Sequence, residues 1–116
     1  MKFKKWVFQN EEEGGYHFYC PGCEGPHTIA TSGNVKWSVT NADTLPIVSP
    51  SIKVTYPANP DAPEDFIEWR TERICHSYIG CNGAKPGQII FLNDCTHHLA
   101  GKVVDLPEYP IQEISE

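Results

Sequence analysis

Ile74-Cys75-His76-Ser77-Tyr78-Ile79 is the stretch around which the chain is organised. Its apolar and aromatic residues read as a strand that continues an extended segment beginning near Glu64. Adjacent residues of a strand project to opposite faces, so the Cys75 thiol and the His76 imidazole look to opposite sides. The second decisive stretch is Phe91-Leu92-Asn93-Asp94-Cys95-Thr96-His97-His98-Leu99-Ala100-Gly101. Between them the two stretches hold most of the groups fit for metal ligation or acid–base chemistry.

Far upstream, Cys20-Pro21-Gly22-Cys23 has the form of a zinc knuckle. A tight Cys-x-x-Cys turn brings two thiolates onto one tetrahedral ion and aims backbone N–H groups at the sulfurs. A redox pair would sit near a βαβ unit, and none surrounds it. A structural site takes four ligands. Candidates for the other two are His27, Cys75, His76, Cys81, Cys95, His97 and His98. Cys75 is favoured because a thiolate completes a soft site, and His97 is placed fourth ahead of His98. His27 is the alternate, since the return strand of a knuckle is expected to point away from the ion. Cys81 and Cys95 are expected to pack as small apolar groups.

Outward from these stretches the pattern is of short strands. Phe3 to Gln9 reads as a strand with Trp6 and Phe8 on one face, and Tyr16 to Tyr19 as its hairpin partner. Strands follow at His27 to Thr31 and at Val35 to Val39, with Trp37 inward. Asn41 to Pro50 is rich in turn formers and reads as an ordered loop, followed by a strand from Ser51 to Tyr56. Gln88 to Leu92 and Lys102 to Leu106 are the last strands. The fold expected is mostly β, a single antiparallel domain over 1–116 with little helix. Its motif core spans about 16–106, with an acidic loop at 57–72 and a loose tail at 107–116. Trp6, Phe18, Trp37, Ile52, Val54, Ile79, Ile90 and Leu92 are its expected core.

The formal charge of −6 argues against a nucleic-acid partner, because phosphate binding needs clustered Lys and Arg. No apolar run approaches the length that crosses a bilayer, and the N-terminus lacks the apolar region of a signal peptide. The expected compartment is therefore the cytoplasm, where thiols stay reduced. Five cysteines, an odd count, fit metal ligation plus spare thiols better than a disulfide framework.

Several motifs in fixed order resemble one family. They are Cys-Pro-Gly-Cys followed by His27, then Trp37 and Asn41 before Pro46-x-x-Ser49-Pro50-Ser51. Cys75-His76-Ser77-Tyr78-Ile79 and Phe91-Leu92-x-Asp94-x-Thr96-His97-x-Leu99-Ala100-Gly101 complete the set. The family consists of small proteins of unknown function common in tailed-phage genomes. Relatives occur in bacterial operons encoding ubiquitin-like proteins with E1- and E2-like enzymes, where they look like the peptidase component. The resemblance covers roughly Tyr16 to Leu106 and implies a protein partner or substrate of the ubiquitin-like kind. It matches His97 rather than His98 to the family histidine. The segments Gly80–Gly87 and Pro57–Glu72 are longer than the family pattern, which makes Cys81 peculiar to this chain.

A closed four-ligand zinc cannot activate water, so catalysis would fall to other residues. Ser49, Ser51 and Ser77 are candidate nucleophiles, His27 and His76 candidate bases, and Asp94 a candidate orienting carboxylate. With Cys75 turned to the metal, His76 is free to serve Ser51 or Ser77. The competing account has the serines bonding backbone in a turn and Asp94 capping the turn after it. Neither the His-x-Glu element of nucleobase deaminases nor His-Glu-x-x-His occurs. Two classes stand: a small hydrolase acting on a ubiquitin-like protein, and a non-catalytic zinc-stabilised module that binds a protein partner.

Overall fold

The computed structural model describes residues 2–7, 13–34 and 36–109. Alternating short apolar runs and frequent turn residues produce two antiparallel sheets. Strands β1 (Phe3–Val7), β2 (Glu13–Cys20) and β3 (Gly25–Ala30) form the first, in that order. Strands β4 (Ser38–Thr40), β5 (Ile47–Tyr56), β6 (Arg73–Ile79), β7 (Gln88–Phe91) and β8 (Val103–Asp105) form the second, also in chain order. The mostly-β expectation holds. No helix among the described residues is long and apolar enough to cross a membrane.

The inward faces of both sheets meet in one core. Phe3, Phe18, Cys20 and Ile29 come from the first sheet, and Val48, Ile52, Cys75, Ile79, Ile89 and Phe91 from the second. Leu106 and Cys95 close it from the segments after β8 and β7. Trp37 and Val54 pack against it partly buried, as expected, but Trp6 gives way to Phe3 as the buried residue of β1. Phe8 lies outside the described residues.

Strand β7 turns the other way from expectation. Ile89 and Phe91 are buried, while Ile90 and Leu92 are only half-buried. The run Ile89-Ile90-Phe91-Leu92 is apolar throughout, so alternation cannot fix its parity. The register does: Ile89 pairs with Ile79 and Phe91 with Ser77, and opposite partners share a face.

Two further differences bear on the site. The extended reading of Glu64–Arg73 is overturned, because Glu64–Arg70 is a 3₁₀ helix with a kink at Phe66. Pro63 precedes it, acids lie in its first turn and Arg70 in its last, and the Phe66 and Trp69 rings stack at 4.3 Å. The strand expected from Ser51 begins instead at Ile47. It carries a bulge: Val48 pairs with Ile79 and Ile52 with Ser77, so four steps on β5 span two on β6. The three residues between, Ser49-Pro50-Ser51, lie across from the single residue Tyr78, with a cis bond before Pro50. A bulge bends its strand and re-aims side chains. This one ends at Ser51, which stays within β5 just before Ile52.

Candidate active site and metal centre

Strand β6 divides the chemistry between its two faces. Arg73, Cys75, Ser77 and Ile79 alternate with Ile74, His76 and Tyr78, and Cys75, Ser77 and Ile79 are the buried set. Cys75 faces the core at 1% exposure, and His76 faces outward with 23% of its side chain exposed.

On the outer face, three side chains form one hydrogen-bonded chain. His76 Nδ1 lies 3.1 Å from Asp94 Oδ2, and His76 Nε2 lies 3.1 Å from Ser51 Oγ. A carboxylate only accepts, so the neutral ring that fits carries its proton on Nδ1 and donates it to Asp94. Nε2 is then the acceptor, and the Ser51 hydroxyl donates to it. Trp37 holds the serine from behind, its Nε1–H donating to the Ser51 carbonyl at 3.1 Å. Of the serines considered, Ser77 lies on the opposite face from His76, 1% exposed, with no hydrogen-bond partner for its Oγ. The exposed Ser49 pairs with Ser38 in the β4–β5 ladder.

The turn that delivers Asp94 is fastened to β6 at several points. Leu92 N–H donates to the His76 carbonyl at 2.9 Å, and Thr96 N–H to the Ile74 carbonyl at 2.9 Å. Ile74 N–H returns a bond to Thr96 Oγ1 at 3.0 Å. Cys95, expected only to fill space, has a sulfur 3.1 Å from both His76 N and His76 O. Burial pushes the Cys95 thiol above its ordinary pKa, which keeps the proton it needs to donate.

On the inner face, Cys20, Cys23, His27 and Cys75 place their ligand atoms within 4.8 Å of one another. The Cys20 and Cys75 sulfurs are 3.7 Å apart, and Cys23 N–H donates to Cys20 Sγ at 3.4 Å. The structure puts His27, not His97, beside the three thiols, for a reason of register. Phe18 pairs with His27, so they share a face, and Cys20 is two residues from Phe18 on that same face. The return strand therefore points its histidine toward the site. The Phe18 ring meets the His27 ring edge-on at 5.5 Å, and Tyr56 Oη is 3.5 Å from His27 Nδ1. His27 Nε2 is buried with no hydrogen-bond partner.

His97 lies against the outside of the knuckle. Its ring approaches Gly22 so closely that a Cβ there would fall 2.3 Å from it. Its Nδ1 accepts from Leu99 N–H at 3.2 Å, and it forms a second group with Cys75 and Cys95. Burial holds its pKa below the ordinary histidine value. A cavity of about 390 Å³ opens beside the knuckle, lined by Cys23, Tyr56, Trp69, Arg73 and His97 among others, and reaches none of the Ser51–His76–Asp94 chain. Cys81 Sγ donates to the Val48 carbonyl at 3.5 Å, away from either group.

The electrostatics suit a cation among the thiols. Hydrogen bonds with Cys20 and Cys75 push the Cys23 thiol far below its usual value. The same sulfur contacts, from Cys20 first and Cys23 next, together with burial, drive Cys75 far up. Burial alone would lower the His27 imidazole. Hydrogen bonds and charge from Cys20 and Cys23 outweigh it and raise that pKa to about 9. Burial first, and then charge on Cys23, raises Tyr56. Three crowded sulfurs and an orphaned imidazole nitrogen thus need either shared protons or a metal ion, and their donor set fits a metal.

The placement of each candidate is therefore plain. Ser51, His76 and Asp94 come together, as do Cys20, Cys23, Cys75 and His27, while Ser77 is buried on the opposite face of β6 and His97 groups with Cys75 and Cys95. Register could have revealed His27, had the Phe18 pairing been known. No curated protein and no solved structure matches the chain. Residues 1–86 match the family model described as bacterial ubiquitination-like system serine protease (BubE), a segment holding Ser51, His76 and the four-residue Cys/His group but ending before Asp94. With that match covering most of its length, the chain belongs to the BubE family.

Proposed function

We propose that this protein is a serine peptidase that cuts a ubiquitin-like protein at or near its C-terminus, with Ser51 as nucleophile, His76 as general base and Asp94 as orienting carboxylate. The observation that carries the reading is the unbroken hydrogen-bond chain Ser51–His76–Asp94, with both links at 3.1 Å. Those distances lie within hydrogen-bond reach for a nucleophile–base pair and its orienting group. Ser51 Oγ attacks the scissile carbonyl carbon while its proton passes to His76 Nε2. Asp94 holds the ring by its Nδ1–H and balances the imidazolium that forms. His76 then protonates the departing amine as the C–N bond breaks, leaving an ester on Ser51. Water, deprotonated by the same ring, hydrolyses that ester and regenerates the serine.

The family description, a serine protease of a ubiquitination-like system, supports a protein substrate from such a system. The test is a fusion of a ubiquitin-like protein to a C-terminal extension. The parent protein should release the extension, and His76→Ala should not, at unchanged metal content and melting temperature. Persistent cleavage by His76→Ala would remove His76 from the chemistry. A parent that cuts no such fusion would favour a binding module instead.

The metal in this reading is zinc, for which a set of thiolates and one imidazole is a usual tetrahedral environment. Cys20, Cys23, His27 and Cys75 would hold it, filling its coordination and tying β2 and β3 of one sheet to β6 of the other. Its contribution is structural: it anchors the strand that carries His76. His27→Ala should lower zinc content well below the parent's about one equivalent, because a four-ligand site loses one of its ligands. His97→Ala should retain it. Metal analysis of the purified variants checks this, and the opposite ranking would return His97 to the ligand set.

A further inference from the structure

Strand β7 pairs with β6 at Ile79, Tyr78 and Ser77 and ends at Phe91, one residue short of His76. The His76 carbonyl still takes the Leu92 N–H at 2.9 Å, while the His76 N–H lies beyond the end of the β7 ladder. The chain turns away after Leu92 and comes back, and Cys95 Sγ meets that N–H and shares the carbonyl. Its sulfur accepts from His76 N–H and donates to the His76 carbonyl, each at 3.1 Å. Asp94, the preceding residue, holds the imidazole of the same histidine. One dipeptide therefore grips His76 at both its backbone and its ring.

We propose that Cys95 is a positioning residue for catalysis, a side-chain surrogate for a strand partner that locks the separation of Asp94 from the His76 ring. This inference rests on the triad reading above. Leu92 N–H also bonds the His76 carbonyl, but it lies before Asp94. Thr96 grips Ile74, two residues from the ring. Cys95 alone joins the residue that carries the carboxylate to the residue that carries the base. Both of its hydrogen-bonding capacities are used by His76. Removing them leaves the His76 N–H without that partner, while its carbonyl keeps only the Leu92 N–H, and lets the Asp94 turn drift. Since catalytic groups misplaced by about 1 Å lose on the order of 10²-fold in rate, a small drift is measurable.

The probe is an alkyl fluorophosphonate, which needs no knowledge of the natural substrate. Ser51 Oγ would displace fluoride from phosphorus, forming the O–P bond as P–F breaks, with the serine proton passing to His76. Cys95→Ala should lower the limiting inactivation rate by about 10- to 100-fold while the concentration for half-maximal inactivation changes by less than about 2-fold. Cys95→Val, which fills more of the space but offers neither donor nor acceptor, should match the Ala variant. Cys95→Ser, which restores both, should recover to within about 3-fold of the parent. The downfield proton resonance of His76 Nδ1–H, sharp in the parent, should broaden or vanish in Ala and Val and return in Ser. Inactivation of the Ala and Val variants at the parent rate would overturn the proposal, and so would a resonance unchanged in them. A parent that forms no adduct on Ser51 would sink the triad reading itself. The resonance would then still decide whether Cys95 holds His76 against Asp94.

Discussion

Ser51→Ala is expected to lower the rate of fusion cleavage by about 10⁴-fold or more, close to the solution background. That is a loss of roughly 5.5 kcal/mol or more of transition-state stabilisation, far beyond any packing effect of one oxygen. His76→Ala should lose as much, and the double variant Ser51→Ala/His76→Ala no more than either single one. Residues of a triad act as one unit, so the second removal finds nothing left to abolish. Asp94→Asn keeps the shape but removes the obligate acceptor, so the ring is free to take the wrong tautomer. The expected loss is about 10²- to 10⁴-fold, reduced from the upper figure by the 44% exposure of the Asp94 side chain. Steady-state cleavage rates check all four. Losses that multiplied in the double variant would mean that serine and histidine act separately.

The second large effect is at the metal centre. Cys20→Ser and Cys75→Ser should each release the ion and lower the melting temperature by roughly 10 °C or more. Cys20 is fully buried and Cys75 is 1% exposed, so a vacated ligand cannot be replaced by solvent without opening the core. Cys20 ends β2 and Cys75 lies in the middle of β6, so an ion held by both would bridge the two sheets. Its loss should therefore reach the triad, and fluorophosphonate labelling of Ser51 should fall together with metal content. Cys81→Ser is the control. Its sulfur only caps the Val48 carbonyl, and the variant should keep metal, labelling and melting temperature within a few degrees of the parent. Metal analysis with thermal scanning reads the result. A Cys75→Ser protein that melts like the parent would contradict the bracing role.

Much of this arrangement was legible in the chain. The alternation of Cys75 and His76 in one strand is enough to separate a thiol facing the Cys/His group from a histidine on the other side. The Cys-Pro-Gly-Cys turn announces its own chemistry, and Asp94 stands out as a carboxylate near two histidines. The choice between Ser51 and Ser77 was not legible, because it hangs on a bulge. An undisturbed ladder through Val48 and Ile52 would aim the intervening residues differently, and nothing in Ser49-Pro50-Ser51 announces that these three residues will oppose one. His27 stood only as the alternate for a related reason: its facing is fixed by pairing with Phe18, a long-range fact that local pattern does not contain. Ile89 and Phe91 were lost to Ile90 and Leu92 because an unbroken apolar run has no visible parity. The Glu64–Arg70 turn hid behind Ile67 and Trp69, whose spacing also suits a strand, although both side chains are in fact exposed. Cys95 read as a filler because a thiol's hydrogen bonds are invisible until its neighbours are known.

The most direct measurement is the site of covalent modification. The purified protein is treated with fluorophosphonate, digested, and the adduct located by tandem mass spectrometry. The account predicts a single modified residue, Ser51, with labelling lost in His76→Ala and zinc content unchanged. An adduct on Ser49 or Ser77, or no adduct from a folded, metal-loaded protein, would contradict it.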